Sequence, residues 1–353
     1  MTGLGGRLMD EINEAMRDRG RVTLHDVARA AGVSKSTVSR MLDERLPRSD
    51  SEKARHVRRV AAELGYVRDV SAASLRRGKT GMIGVIVPRL TDTVMAMLYE
   101  SLAKAATRTG HFTIVATTDD EPDADRRAAD MLLRRGVDGL VLSTAREGNG
   151  FTKELKEREV PFVLALRHNG SSLASVGDDR LGGYLATRHL IDLGHHRIGI
   201  LTGPEYATSA RGRVEGYRRA MEEAGFDIDP QLVMPSTFSI ESGAEAAEKL
   251  LRRDPRPTAI FAVNDNTAIG ALSAIAHAGL SVPEDISLVG YNDIPIVRRL
   301  PVPLTTVRVP FDQVASAALE LLTAEDVPAG DRIRIATPTL IPRKSTARPI
   351  TEA

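Results

Sequence analysis

The chain has 353 residues, with 48 Lys and Arg against 47 Asp and Glu, 42% hydrophobic and 4% aromatic residues, and neither Cys nor Trp. Such a length can bury several cores, and the lack of Cys excludes disulfides, thiolate metal sites and a cysteine nucleophile. The balance hides a division: residues 1–80 carry 17 basic against 11 acidic side chains, a net of +6, and residues 81–353 carry 31 against 36, a net of −5. A basic head on a slightly acidic body suits phosphate binding by the head.

The first twenty residues hold no apolar run long enough for a signal peptide, and nothing later approaches a membrane span, so the expectation is a cytoplasmic protein with an N-terminal extension. From residue 22 the chain reads VTLHDVARAAGVSKSTVSRMLD. Thr23 is a good N-cap, Asp26 can reach back to it, and Val27, Ala28 and Ala31 recur at helical spacing, which predicts a helix over residues 24 to about 31. Gly32 supplies a tight turn, Val33 plugs the gap, and Ser34 caps a second helix whose Val38, Met41 and Leu42 face inward. Lys35, Ser36, Ser39 and Arg40 then share the outer face and carry donors and acceptors that suit a major groove. A third helix, capped by Asp50 or Ser51 and ended by Gly65, closes the core with Val57, Val60, Ala61 and Leu64. A small helical hairpin with a solvated face is the plain alternative, and the charge division favours the DNA-reading one.

Residues 69–77, DVSAASLRR, spell a helix too short to hold itself in water, since nucleation costs more than a few hydrogen bonds return. The expectation is a segment that orders on DNA, with Leu75 as an apolar wedge entering the minor groove; in a plain linker Leu75 would pack on the body.

Residues 82–88 (MIGVIVP), 112–117 (FTIVAT), 139–142 (GLVL), 162–166 (FVLAL), 197–203 (RIGILTG), 259–263 (AIFAV) and 287–291 (SLVGY) read as strands alternating with helices, the pattern of parallel α/β structure. Gly84 matches Gly199 at an offset of 115, and Arg134-Arg135 in MLLRRGVDGLVL matches Arg252-Arg253 in KLLRRDPRPTAIFAV at 118. Similar offsets predict two similar lobes. Ligands of open parallel sheets bind beyond the carboxyl ends of the strands, so facing lobes would hold one ligand between them.

The segments TLHDVARAAGVSKSTVSR, ELGY, GHHRIGILTGP, RGRVEGYRRAM, AIFAVNDNTAIGAL, DISLVGYND, PVPLTTVRVPF and LIPRKSTARP, in that order over about 330 residues, resemble the LacI/GalR family of bacterial transcriptional regulators. The resemblance implies an all-α helix-turn-helix head over residues 21–67, a hinge over 68–80, and a two-lobed periplasmic-binding-protein-like α/β core with parallel sheets over 81–353. It divides that core into an N-lobe of about 81–180 with 309–337 and a C-lobe of about 181–308 with 338–353. The implied protein is a repressor without cofactor or metal, a homodimer on a near-palindromic double-stranded operator, with a tetramer left open.

By the same likeness Lys35 and Ser36 read bases, Thr37, Ser39 and Arg40 help with bases and backbone, Thr23 and Ala72 complete the DNA contacts, and Leu75 is the minor-groove lever. For the small molecule, Arg213 matches the effector-binding arginine, whose planar fork grips a hydroxyl pair or a carboxylate, and Ser209 lies one turn earlier. Asn264 and Asn292 offer donor and acceptor together, and Phe238 and Phe311 match positions that lay a ring on the ligand. The plain alternatives are an interlobe salt bridge for Arg213, caps or turns for the two Asn, and core positions for the Phe residues.

The chain also departs from the pattern. Asp43 stands where the family usually has Asn, and Arg68-Asp69 replaces a Pro-Asn, which loosens the entry to the hinge. Asp92-Thr93-Val94-Met95 replaces Asn-Pro-Phe-Phe, and Leu166 stands where Asp is common. With few aromatics a sugar or sugar derivative remains the expected effector on family grounds, ahead of a nucleobase, a small acid or no effector at all. An enzyme is not expected, because Asp178, Asp179 and Ser143 near strand ends have no partner at a defensible spacing.

Overall fold

In the computed structural model, residues 22–42, 49–67, 79–146, 148 and 150–350 are described. The extension, Asp43 and residues 68–78 of the expected hinge lie outside them. The chain divides into two compact units, Met1–Thr80 and Gly81–Ala353.

In the first unit, Thr23 and Asp26 form a reciprocal capping box that starts α1 (Leu24–Ala30). Thr23 N donates to Asp26 Oδ2 at 2.9 Å, and Asp26 N to Thr23 Oγ1 at 3.4 Å, satisfying donors that a helix start leaves orphaned. The chain turns at Gly32, whose φ of +64° lies where a side chain is costly, and Val33 N returns to Ala28 O at 3.0 Å. Ser34 caps α2 (Lys35–Met41) and Ser51 caps α3 (Glu52–Glu63). Val22, Val27, Ala28, Ala31, Val38, Val57, Val60, Ala61 and Leu64 form the core, with Val33, Met41, Leu42 and Tyr66 against it.

The second unit begins with β1 (Met82–Val87), α4 (Thr93–Arg108), β2 (Phe112–Thr117), α5 (Pro122–Arg134), β3 (Gly139–Leu142), α6 (Phe151–Glu157), β4 (Phe162–Ala165) and β5 (Ala174–Gly177). There follow α7 (Asp179–Asp192), β6 (Ile198–Thr202), α8 (Thr208–Glu223), β7 (Val233–Pro235), α9 (Ile240–Leu251), β8 (Ala259–Ala262), α10 (Asp265–His277), β9 (Ser287–Asn292) and β10 (Thr305–Arg308). The last elements are α11 (Phe311–Thr323), β11 (Ile333–Ala336) and β12 (Thr339–Ile341).

The strands make two six-stranded sheets, ordered β11-β5-β4-β3-β1-β2 and β12-β10-β9-β8-β6-β7. Each sheet repeats one winding: the first strand sits inside, the second flanks it at an edge, and the next three run outward. Pairing is parallel except between β10 and β12. The inner strands are buried along their lengths, as a parallel sheet covered by helices requires. After β10 the chain returns to the first sheet, where α11 packs on β4, β5 and β11, before β12 closes the second.

Candidate DNA-reading helix and ligand cleft

On α2 the side chains of Lys35, Ser36 and Arg40 are exposed, and those of Thr37 and Ser39 are half-buried. The Ser34 hydroxyl accepts from Thr37 N at 3.2 Å and lies 2.9 Å from Ser36 Oγ and 2.8 Å from Thr37 Oγ1, so one cap orders three hydroxyls at the start of the helix. Among the described residues, no carboxylate lies within ion-pairing distance of Lys35 or Arg40. Thr23 is different, because its hydroxyl donates to Asp26 Oδ2 at 2.6 Å and is committed to the cap. Ala72 and Leu75 lie outside the described residues.

In the second unit, a cavity of about 390 Å³ opens where the carboxyl ends of both sets of strands meet. Ser209, Arg213, Phe238, Asn264 and Asn292 line it together. Arg213 is placed by the close crossing of α7 and α8, since a Cβ on Gly183 would meet Arg213 O at 2.1 Å and one on Gly216 would meet Arg180 O at 2.1 Å. That approach sets Arg213 Nε 2.8 Å from Asp179 Oδ1 and Nη1 2.6 Å from Val263 O, with the guanidinium 3.8 Å above the Tyr291 ring. Asp179 and Arg213 both belong to helices beside the second sheet, so their ion pair lies within one lobe. Asn264 caps α10 through Thr267 N at 2.8 Å and donates to Phe238 O at 2.9 Å, so its cap role and its place in the cavity coexist. Asn292 ends β9 with a φ of +107°.

Phe311 is a correction: it does not line the cavity and is buried in the core. It heads the apolar stripe of α11, which continues through Val314, Ala315, Ala318 and Leu319 and faces the first sheet. Where the family pattern would supply rings, Val94 and Met95 line the cavity behind Asp92, which caps α4 through Val94 N at 3.0 Å. Burial pushes the Asp92 carboxyl above its ordinary value, against the hydrogen bond from Val94 N.

The structure adds charged and polar groups that sequence reading missed: Arg89, Asp119, Asp120, Glu121, Arg146, Arg167 and the phenol of Tyr206. Arg167 holds Asp120 through both oxygens, at 3.0 and 3.1 Å. Each of these residues follows the carboxyl end of a strand, and that position was the available signal. Among the described residues, three hydrogen bonds join the lobes across the cleft: Tyr206 Oη to Asp120 Oδ2 at 3.0 Å, Asn266 Nδ2 to Asp92 Oδ1 at 3.3 Å, and His168 N to Thr208 Oγ1 at 3.1 Å. Among the described residues, no cluster of three His, Asp or Glu side chains could hold a metal ion, and no helix is long and apolar enough to cross a membrane.

Two family models match the sequence: "Bacterial regulatory proteins, lacI family" over residues 23–69, and "Periplasmic binding protein-like domain" over residues 187–346. The HTH-type transcriptional repressor PurR of Haemophilus influenzae (strain PittEE) is 36% identical over 332 residues, covering 92% of this chain and 98% of the repressor. The chain belongs to the LacI family. Another LacI-family relative, the ribose operon repressor of Escherichia coli (strain K12), is 34% identical over 332 residues, or 93% of this chain and 97% of the relative. The crystal structure of the lac repressor dimer bound to operator and the anti-inducer ONPF has the same fold, with a TM-score of 0.81 at 28% identity over 93% of this chain and 99% of that one. This LacI-family protein is a DNA-binding transcriptional regulator, a helix-turn-helix joined to a periplasmic-binding-protein-like core.

Proposed function

We propose that the protein is a cytoplasmic homodimeric repressor that reads a near-palindromic operator with α2 and changes its grip when a sugar or sugar derivative occupies the cleft. One observation carries the control by ligand: among the described residues, the three cross-lobe hydrogen bonds end on residues that line the cavity or neighbour its lining, so a ligand there alters what joins the lobes. Lys35, Ser36, Thr37, Ser39 and Arg40 serve as the base and backbone contacts, and Leu75 with Ala72 as the minor-groove element. Ser209, Arg213, Asn264 and Asn292 serve as the polar contacts to the ligand, with Phe238 beneath it. The ribose operon repressor among the relatives carries a sugar in its name, which supports the effector class.

An enzyme fits less well. Ser143 Oγ donates to Ile86 O at 3.2 Å, Asp178 caps α7, and Asp179 holds Arg213, so the candidate reactive groups have structural duties. The test is a gel shift on DNA flanking the protein's own coding region, repeated with a panel of sugars. A retarded complex whose midpoint moves with one sugar is expected, and the direction of movement assigns inducer or corepressor. Folded protein that ignores every duplex at low ionic strength would overturn the reading.

A further inference from the structure

We propose that the ligand of this cleft carries an anionic group, a carboxylate or phosphate on a sugar-like frame, and that Asp120 is the protein's own stand-in for that group. The inference rests on the small-molecule reading above and concerns the end of the cavity formed by Asp120, Arg146, Arg167 and Tyr206.

Arg167 is 5% exposed and holds both Asp120 oxygens in the bidentate geometry with which a guanidinium binds any carboxylate or phosphate. The Tyr206 hydroxyl adds a third donor to the same carboxylate. Two guanidinium groups converge on the Tyr206 ring, Arg146 at 3.9 Å and Arg167 at 5.6 Å, yet among the described residues Asp120 is the one carboxylate hydrogen-bonded there. Among the described residues, Arg146 donates to the main-chain carbonyl of Asp120, and its buried Nε has no partner. The other cavity arginines have their own carboxylates: Arg213 has Asp179, and Arg89 has Asp119 at 3.6 Å. Arg146 is therefore the cavity arginine without an ion pair among the described residues.

The loop that delivers Asp120 does so against its backbone preference. Asp119 and Asp120 have φ values of +52° and +64°, consecutive left-handed conformations that non-glycine residues adopt at a cost. Asp120 is held there by Arg167 and Tyr206, and a ligand anion that took over those donors would also gain Arg146. Of the remaining acids, the Asp119 side chain is 80% exposed, Glu121 is exposed, Asp92 is bonded to Val94 N and Asn266, and Asp125, buried within electrostatic reach of Arg146 and Asp120, has its carboxyl pushed up toward the neutral form by burial. The hydroxyls of the frame would face Ser209, Asn264 and Asn292 elsewhere in the same cavity.

The test is titration calorimetry of the full chain with glucose, gluconate and glucose 6-phosphate, with ribose and ribose 5-phosphate, and with inorganic phosphate alone. At least one anionic member should bind ten-fold or more tighter than its neutral counterpart, and the gluconate and phosphate arms assign the anion. Asp120→Asn should strengthen anion binding several-fold, and Arg146→Gln should erase most of the preference while leaving the neutral sugar within two-fold. A neutral sugar that binds as well as its anionic partner, or an Arg146→Gln loss equal for both, would overturn the anionic seat while leaving sugar control of operator binding standing. Failure of every probe both to bind and to move the gel shift would remove both.

Discussion

The Tyr206 hydroxyl donates to Asp120 Oδ2 at 3.0 Å, and because Tyr206 follows β6 while Asp120 follows β2, this bond spans the two lobes. Burial pushes the phenol above its ordinary value and Asp120 adds to the effect, so it remains a donor at neutral pH. Tyr206→Phe removes the bond and leaves Asp120 on Arg167. We expect a loss of about 1 kcal/mol in thermal unfolding and a larger radius of gyration by small-angle scattering. If neither moves, the bond does not help to hold the cleft closed.

Arg213→Ala should do more than abolish the response to ligand. It strands the Asp179 carboxylate, which is about as buried as its partner, and breaking such a pair from one side costs roughly 3–5 kcal/mol. Denaturant unfolding should therefore show a large loss for Arg213→Ala and a much smaller one for the double variant Arg213→Gln with Asp179→Asn. Equal losses would mean that the pair is not coupled.

Asp265 is fully buried, and burial raises its carboxyl to about 7 despite hydrogen bonds from Thr306 Oγ1 at 2.6 Å and Ile294 N at 2.8 Å. With its folded value above the unfolded one, the folded protein holds a proton there that the unfolded chain releases. Stability from this group is full below about pH 4 and declines as pH rises toward 7, by roughly 4 kcal/mol in all. Asn in its place can donate to Thr306 Oγ1 and accept from Ile294 N. Asp265→Asn should thus gain on the wild type as pH rises from 5 to 8 in unfolding experiments, and parallel curves would count against the shifted carboxyl.

Arg40 is exposed on α2 with no carboxylate beside it among the described residues, so Arg40→Ala should leave thermal stability within about 0.5 kcal/mol. Its loss should weaken operator binding broadly and reduce the slope of log affinity against log salt by roughly 0.9, one phosphate contact. An unchanged slope with altered base preference would make Arg40 a base reader.

Much of the fold was legible because its signals are local. The echo of MLLRR in KLLRR marks a packing relation: a Cβ on Gly84 would meet Leu132 Cδ1 at 3.0 Å, and one on Gly199 would meet Leu250 Cδ2 at 2.5 Å, so each lobe seats the same helix leucine on the same strand glycine. The strands that escaped notice, at 174–177, 233–235, 305–308, 333–336 and 339–341, are short, and several are polar or lie at sheet edges where alternation is weak. The cleft was half legible. Asp119, Asp120 and Glu121 stand in a charged run that reads as solvated loop, and only the folded chain shows Asp120 turned inward onto Arg167. Phe311 misled because an aromatic at a helix start says nothing about which sheet that helix will cover.

Residues 333–341 supply the final edge of both sheets, and Ser345 then ties Leu288 to Thr305 with bonds of 2.6 and 2.8 Å. Neither half can therefore be completed during translation until this stretch has cleared the ribosome. A premature stop before it would not trim a dispensable tail; it would strip both halves at once and hand the nascent product to proteases.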